Sequence, residues 1–187
     1  DDQKKKEWEL REKSQKDSLT GLLNNSTIKQ QIGARLQSLK RGQTGYLVVQ
    51  DVDSFKKIND TNGHLFGDAV LCSFADELSN IFPEALKGRI GGDEFVFYVE
   101  DMDREHLEEK LKQLNRCMSD RYDDDKTGLH ISCSLGAAVT DGTVTDYNLL
   151  FQWADAALYQ VKSKGKGAYY LLDVKEGVAL PGKSYLD

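Results

Sequence analysis

Two adjacent acids follow a pair of glycines in residues 89–95, and these residue types could bind a metal ion. The segment reads Arg-Ile-Gly-Gly-Asp-Glu-Phe, and an aromatic and β-branched run continues to residue 99. Glycines between two apolar stretches predict a β-hairpin. Because glycine has no Cβ, an ion or phosphate could approach the turn closely, and Asp93 and Glu94 would offer the oxygen ligands that Mg²⁺ prefers. The alternative is a solvated turn, since these residue types are common between strands.

A second pair of acids, Asp51 and Asp53, follows the apolar run at residues 46–49, which predicts a buried strand. A carboxylate at a strand end, beside a loop, can hold a metal ion without being fully desolvated. If this strand neighbours the hairpin, Asp51 and Asp93 would converge on a pair of divalent ions about 4 Å apart, an arrangement used for attack at phosphorus. One ion would make a hydroxyl more acidic, and the other would neutralise a triphosphate. The alternative is a turn or helix-capping role, which is the favoured interpretation of Asp53.

Residues 55–68 carry side chains that could bind a nucleotide. Residues 55–57, Phe-Lys-Lys, offer backbone N–H groups and ammonium charge to the β- and γ-phosphates. The carboxamide of Asn59 and the carboxylate of Asp68 could together read the guanine edge, whose N1–H and N2–H₂ donors adenine lacks. His64 could face the base or the sugar. The alternatives are a loop hydrogen bond for Asn59, charge complementarity at a helix N-terminus for Asp68, and an ordinary loop histidine.

Composition limits the class of protein. The 187 residues predict about one domain with appendages, and the net charge of −6 argues against a nucleic-acid polymer as the main partner. Two local basic clusters, one at residues 56–57 and one formed by Lys162, Lys164 and Lys166, fit a small polyphosphate, although each could be a solvated surface. Three scattered cysteines predict neither a zinc site nor a disulfide framework, and favour the cytoplasm. No segment approaches the roughly 20 apolar residues of a membrane span, and we expect no leader or membrane anchor in this chain.

Apolar periodicity predicts helices and strands in alternation. Residues 1–16 are polar apart from Trp8 and Leu10, which indicates the end of a helical stalk or a solvated tail. Four helices are predicted: one at residues 25–40, one that starts near residues 67–68, one at residues 104–121 and one that follows the cap at residues 145–146. The predicted strands are residues 46–53, the two strands of the hairpin, residues 130–140 and residues 168–172. Residues 59–64 are predicted to be a loop. This order indicates an α/β or α+β sheet with antiparallel members.

Five blocks of the sequence, in this order, resemble the GGDEF domain of bacterial diguanylate cyclases. They are residues 17–24 (Asp-Ser-Leu-Thr-Gly-Leu-Leu-Asn), residues 51–68, residues 89–95, residues 132–136 (Ser-Cys-Ser-Leu-Gly) and residues 154–159 (Ala-Asp-Ala-Ala-Leu-Tyr). The resemblance implies an α+β fold with a palm-like central mixed sheet of the ferredoxin-like or nucleotidyl-cyclase type, flanked by helices and with the signature hairpin at the active site. The expected organisation is a stalk or linker at residues 1–16, the catalytic domain at residues 17–173, and a tail at residues 174–187.

The resemblance also implies an activity, namely condensation of two GTP molecules to cyclic di-GMP with release of two pyrophosphates. Each 3′-hydroxyl would attack the α-phosphate held by the partner in an antiparallel homodimer. The resemblance implies that Asp51, the Val52 carbonyl and Asp93 bind two Mg²⁺ or Mn²⁺ ions, and that Asp93 accepts the proton with support from Glu94. It also implies that Asn59, His64 and Asp68 contact the guanosine. The implied phosphate contacts are Phe55, Lys56, Lys162 and Lys166.

We expect an output domain of a larger signalling protein with an upstream sensor, located in the cytoplasm or attached to a membrane-anchored protein. The alternative is a non-catalytic GTP or dinucleotide sensor on the same fold. Members that have lost activity usually lack the signature acids, and Asp51, Asp93 and Glu94 are all present here.

Three points of comparison bear on how far the resemblance extends. Asn25 stands where the family commonly has Arg, and residues 165–167 read Gly-Lys-Gly in place of Gly-Arg-Asn; lysine keeps the charge but loses the bidentate fork, which predicts weaker phosphate binding. Phe82 and Ala85 occupy the positions of an Arg-x-x-Asp product-inhibition site, so we predict no feedback through that site. The retained Asp68 favours GTP over ATP.

Overall fold

A five-stranded sheet with helices on both faces forms the core of residues 1–180, the part of the chain that the computed structural model describes. The helices are α1 (Asp2–Gln15), α2 (Asn25–Gln37), α3 (Phe55–Asn62), α4 (His64–Ile81), α5 (Arg104–Tyr122) and α6 (Tyr147–Ser163). The strands are β1 (Gly45–Val52), β2 (Leu86–Gly91), β3 (Glu94–Glu100), β4 (Cys133–Thr140) and β5 (Tyr169–Asp173). Of the predicted tail, residues 181–187 lie outside the described residues.

The sheet is mixed, in the order β2-β3-β1-β4-β5. The central strand β1 pairs antiparallel with both β3 and β4, whereas β5 runs parallel to β4. The hairpin of β2 and β3 is joined by a two-residue turn, and Gly91 faces Glu94 across it. The hairpin therefore lies directly beside β1, which is the condition under which Asp51 and Asp93 were expected to converge.

Two hydrophobic clusters cover the two faces of the sheet. Along β1 the side chains alternate between them, because successive residues of a strand point to opposite faces. Tyr46 and Val48 pack with α4 and α5, while Leu47 and Val49 pack with α2 and α6. Every residue of β1 is buried, which explains why this strand is a continuous apolar run that ends in polar residues.

The prediction for residues 59–64 was wrong, because most of that segment is helical. α3 extends to Asn62, and α4 begins at His64 rather than near residues 67–68. Gly63 separates the two helices with a φ of 89°, a conformation that glycine adopts without steric cost. The Asn- and Asp-rich composition favours turns, but α3 is held by tertiary packing through the buried Ile58. Two other boundaries differ by three residues, since α2 ends at Gln37 and β4 begins at Cys133.

Candidate active site

Three carboxylates lie together where β1 ends beside the hairpin. Asp51 is directly opposite Glu94 in the antiparallel register of β1 and β3. Residues paired in this way have Cβ atoms about 5 Å apart on the same face of the sheet. Asp93 occupies the hairpin turn beside Glu94, near enough to Asp51 for its charge to act on that carboxylate. The structure therefore brings together the acids that the sequence placed in one site.

Burial makes the ionised forms of these acids costly. It raises the pKa of Asp51 to about 6, even though the hydrogen bond and charge of Lys162 act in the opposite direction. The negative charge of Asp93 raises it further. Burial also raises the pKa values of Asp93 and Glu94. The site therefore concentrates negative charge in a poorly hydrated position, where a cation would be bound favourably.

The acids fit a divalent cation that is bound together with a ligand. Asp51 Oδ1 is buried and has no hydrogen-bond partner, which is costly for a carboxylate oxygen unless a cation or water contacts it. Within residues 1–180 no group of three or more acids, histidines or cysteines encloses a metal site by itself. Mg²⁺ is usually held by one or two carboxylates together with substrate phosphates and water. An incomplete set of protein ligands is thus compatible with magnesium.

Asp53 has a different environment, although it is only two residues from Asp51. Its carboxylate accepts hydrogen bonds from Ser132 Oγ at 2.6 Å, Ser134 Oγ at 2.6 Å and the backbone N–H of Gly167 at 3.0 Å. These contacts join the end of β1 to β4 and to the loop after α6. Because its oxygens are already occupied, Asp53 acts as a structural residue that fixes the loops around the site.

The residues predicted to contact phosphates surround the start of α3. Phe55 and Lys56 form its first turn, whose free backbone N–H groups favour anions. Lys162, in the last turn of α6, forms an ion pair with Asp51 Oδ2. The Nζ atom of Lys166 donates a hydrogen bond to Ser54 Oγ at 3.0 Å. Lys162 therefore places a positive charge at the acids, and Lys166 places one at the start of α3.

The predicted guanosine contacts lie around the junction of α3 and α4. Asn59 projects from α3, and its Oδ1 is buried without a hydrogen-bond partner. A Cβ on Gly67 would lie only 1.8 Å from that oxygen, so a glycine is needed for Asn59 to approach α4. His64 begins α4 and Asp68 lies one turn later, both exposed. The role of Gly67 was missed from sequence, although a glycine inside a helix calls for a packing reason.

An ion pair that the sequence did not reveal holds the hairpin turn. Arg89 Nη1 lies 3.1 Å from Asp17 Oδ1, and Arg89 Nε donates to the carbonyl of Gly92 at 2.8 Å. Asp17 also accepts hydrogen bonds from Thr20. Although burial opposes it, these bonds and the Arg89 charge lower the pKa of Asp17. The turn that carries Asp93 is thus tied to the segment before α2.

A cavity of about 630 Å³ lies on the other face of α3; Asp53 lines it, but Asp51, Asp93 and Glu94 do not. Its walls include Lys57, Ile58 and Lys166 with residues of the 124–130 loop, but neither Asn59 nor Asp68. The candidate active site is therefore defined by the convergence of charged groups rather than by cavity volume.

Comparisons with known proteins identify the family. A family model described as "Diguanylate cyclase, GGDEF domain" matches residues 14–168. Diguanylate cyclase DgcS of Shewanella oneidensis is 35% identical over 164 residues, covering 83% of this chain and 52% of that protein. Cyclic di-GMP phosphodiesterase PdeR of Escherichia coli is 30% identical over 154 residues, covering 82% of this chain and 23% of that protein.

A solved structure gives the same result at the level of the fold. The coiled coil and GGDEF domain of DgcB from Caulobacter crescentus, crystallised in complex with c-di-GMP, superposes with a TM-score of 0.82 at 25% identity. The match covers 90% of this chain and 91% of that chain. It confirms the predicted α+β, palm-like architecture.

The chain belongs to the diguanylate cyclase GGDEF domain family. It spans about half or less of the length of the two curated relatives, 52% of DgcS and 23% of PdeR. Within residues 1–180, no helix is both long and apolar enough to cross a bilayer.

Proposed function

We propose that this domain condenses two GTP molecules to cyclic di-GMP and two pyrophosphates, as part of a larger signalling protein. The observation that carries the proposal is the buried, unpartnered Asp51 Oδ1, which lies opposite Glu94 and next to the turn that holds Asp93. This is a half-complete cation site beside groups suited to phosphates. The family and the curated cyclase relative support the same reaction.

The residues divide the chemistry between them. Asp51, the Val52 carbonyl and Asp93 would hold two Mg²⁺ or Mn²⁺ ions, which supply acidification of the 3′-hydroxyl and neutralisation of the triphosphate. Asp93 would accept the proton of the 3′-hydroxyl, a role that suits a carboxylate whose pKa is raised by burial. Glu94 supports the metal site from the adjoining strand position.

The nucleotide would lie across the start of α3. The backbone at Phe55 and the charges of Lys56, Lys162 and Lys166 would bind the phosphates. Asn59, His64 and Asp68 would bind the guanosine, with Asp68 accepting the donors that distinguish guanine from adenine. Attack on the α-phosphate by the partner's nucleotide requires a homodimer in which two such sites face each other.

The N-terminal helix is suited to a connection with an upstream sensor. No residue of α1 is buried, and Trp8 is 62% exposed. We therefore propose that residues 1–16 end a stalk, residues 17–173 form the catalytic domain and residues 174–187 form a tail. A cytoplasmic location follows from a GTP substrate.

A single assay tests the activity. The protein at high concentration is incubated with GTP and Mg²⁺, and cyclic di-GMP is quantified by liquid chromatography, with Asp93→Ala as the control. We expect product from the wild-type protein and none above background from the variant. GTP binding without turnover would instead support a non-catalytic sensor, which the similarity to PdeR, named as a phosphodiesterase, makes the second candidate.

Gly67→Ala should separate guanosine binding from folding. The new methyl group would displace the Asn59 carboxamide, so we expect GTP affinity, measured by isothermal titration calorimetry, to fall roughly tenfold. Stability should change by no more than about 1 kcal/mol, because the preference of alanine for a helix is opposed by the displacement of Asn59 and by Phe55 Cζ, which lies 3.2 Å from the new Cβ. Gly33→Ala in α2 is the matched control, since a Cβ there meets nothing within 4 Å. Equal GTP affinity in both variants would contradict a role for Asn59.

Product feedback through the Arg-x-x-Asp position should be absent. The Phe82 side chain is 2% exposed and packs on Phe97 with ring centroids 4.8 Å apart, so it offers nothing to a nucleotide. Lys87 Nζ fills the adjacent loop by donating to the carbonyls of Phe82 and Ala85 at 2.9 and 3.1 Å. We expect initial rates to be unaffected by added cyclic di-GMP. Inhibition that excess GTP does not relieve would show that this surface does bind product.

A further inference from the structure

Lys162 lies where it interacts with all three acids of the candidate site. Its ammonium is paired with Asp51 Oδ2, and its charge opposes the increase in the pKa values of Asp93 and Glu94. The Asp51 side chain is 8% exposed, whereas that of Lys162 is 39% exposed. Asp51 is therefore fixed within the sheet, whereas the Lys162 ammonium lies at the end of a flexible side chain that reaches solvent.

Resting on the proposed function, we propose that Lys162 is a placeholder cation that occupies the metal side of the site until a nucleotide enters. With no nucleotide present, the Lys162 ammonium neutralises Asp51. When a metal ion arrives together with a triphosphate, Lys162 leaves Asp51 for the phosphate oxygens, and the metal ion takes over the carboxylate. The same lysine thus belongs to the metal-binding site in one state and to the phosphate-binding site in the other.

Electrostatics favours this exchange. An ammonium and a divalent cation on one carboxylate repel each other strongly in a site with little water. A metal ion that arrives alone would displace Lys162 without giving it a new anionic partner. A metal ion that arrives with a triphosphate provides that partner.

The position of Lys162 in the fold permits the movement. It lies in the last turn of α6, and residues 165 and 167 of the following loop are glycines with positive φ. The start of α3, where phosphates are proposed to bind, is linked to the same loop through the Lys166 to Ser54 hydrogen bond. Rotation of one side chain would carry the ammonium from the acids to the phosphates without movement of the helix.

The consequence is a thermodynamic coupling between the two ligands. Metal affinity should be low without nucleotide and higher with it, and nucleotide affinity should show the same dependence on metal. Removal of the Lys162 charge should increase the affinity for metal alone and weaken the coupling.

Binding of Mn²⁺ alone tests the proposal. Electron paramagnetic resonance would count free Mn²⁺ in titrations of the full chain without nucleotide, at about pH 8, where carboxylates are ionised. For Lys162→Met we expect Mn²⁺ affinity about tenfold higher than for the wild-type protein, and a smaller increase on addition of a non-hydrolysable GTP analogue. Lys162→Gln provides a second neutral variant if the methionine impairs folding.

Lys164→Met is the matched control, because it removes the same charge two residues away. The Lys164 ammonium lies 5.7 Å from the centre of the Tyr170 ring rather than at the acids. We expect its Mn²⁺ affinity to stay within about twofold of the wild-type value, since an exposed charge is screened by solvent.

The outcomes distinguish this proposal from the proposed function. Equal or weaker Mn²⁺ binding by Lys162→Met overturns the placeholder role, whatever the cyclase assay gives. Tighter binding by Lys162→Met in a protein that makes no cyclic di-GMP supports the placeholder role while the proposed reaction fails. Mn²⁺ binding that Asp51→Asn leaves unchanged counts against both, because the ion would then lie elsewhere.

Discussion

Asp51→Asn should abolish cyclic di-GMP synthesis and at the same time stabilise the domain at neutral pH. Synthesis is lost because a carboxamide is a poor substitute for a carboxylate that holds a divalent cation. Stability increases because Asn removes a charge that burial makes unfavourable, while Lys162, which is 39% exposed, can return to solvent. We expect the free energy of unfolding to increase by an amount on the order of 1 kcal/mol. This is less than the shift in pKa alone would give, because solvent partly screens the charge.

The size of this stabilisation depends on pH in a defined way. The pKa of Asp51 is raised from 3.8 to about 6, so the folded wild-type protein disfavours the ionised form. The contribution of this group to stability is therefore complete below pH 3.8 and is lost as the pH rises through about 6. The advantage of Asp51→Asn should grow over that interval and remain constant at higher pH.

Urea denaturation in metal-free buffer at several pH values measures this difference, and Asp53→Asn is the matched control. Asp53 accepts hydrogen bonds from two serine hydroxyls and a backbone N–H, so its replacement should destabilise the domain by about 1 to 3 kcal/mol. Destabilisation by Asp51→Asn, or a gain that does not change with pH, would contradict the environment described for Asp51.

The proximity of the acids could be predicted from the sequence because their signal is local. Asp51 ends an apolar strand and Asp93 lies in a glycine turn, and both patterns are contained within a few residues. The adjacency of these segments required only that the hairpin pair with the central strand, which it does. The roles assigned to the individual side chains remain predictions.

Contacts between distant segments could not be read in the same way. Arg89 and Asp17 are 72 residues apart, and Lys162 and Asp51 are 111 residues apart. A lysine that pairs with an acid has the same local pattern as a lysine in solvent, so the sequence assigned Lys162 to phosphates only. α3 was missed for a related reason, since its packing against α4 rather than its composition makes it helical.

The close packing of α6 on β4 depends on a glycine, because any larger residue at that position would collide with the helix. Gly136 is in β4, and a Cβ there would lie 2.2 Å from the backbone N of Leu158 and 2.3 Å from the carbonyl oxygen of Ala154. Both atoms belong to the backbone of α6, which cannot move aside as a flexible side chain could. Gly136 thus allows α6 to lie directly on the sheet and places Lys162 beside Asp51.

Gly136→Ala should therefore destabilise the domain by about 3 kcal/mol, because α6 must shift away from the buried strand on which it packs. For a protein of this size that loss corresponds to a melting temperature lower by roughly 6 to 12 °C. Differential scanning calorimetry measures it, with Gly91→Ala as the control, since a Cβ on that strand glycine meets nothing within 4 Å.

Function should fall along with stability in Gly136→Ala, because the shift of α6 also moves Lys162 away from Asp51. At a temperature where the variant is still folded, we expect weaker binding of a GTP analogue, and the pKa of Asp51 should rise further when the opposing charge is withdrawn. A variant that melts like the wild-type protein would show that α6 does not lie as close to β4 as described. Lower stability with unchanged nucleotide affinity would instead place the phosphate contacts away from α6.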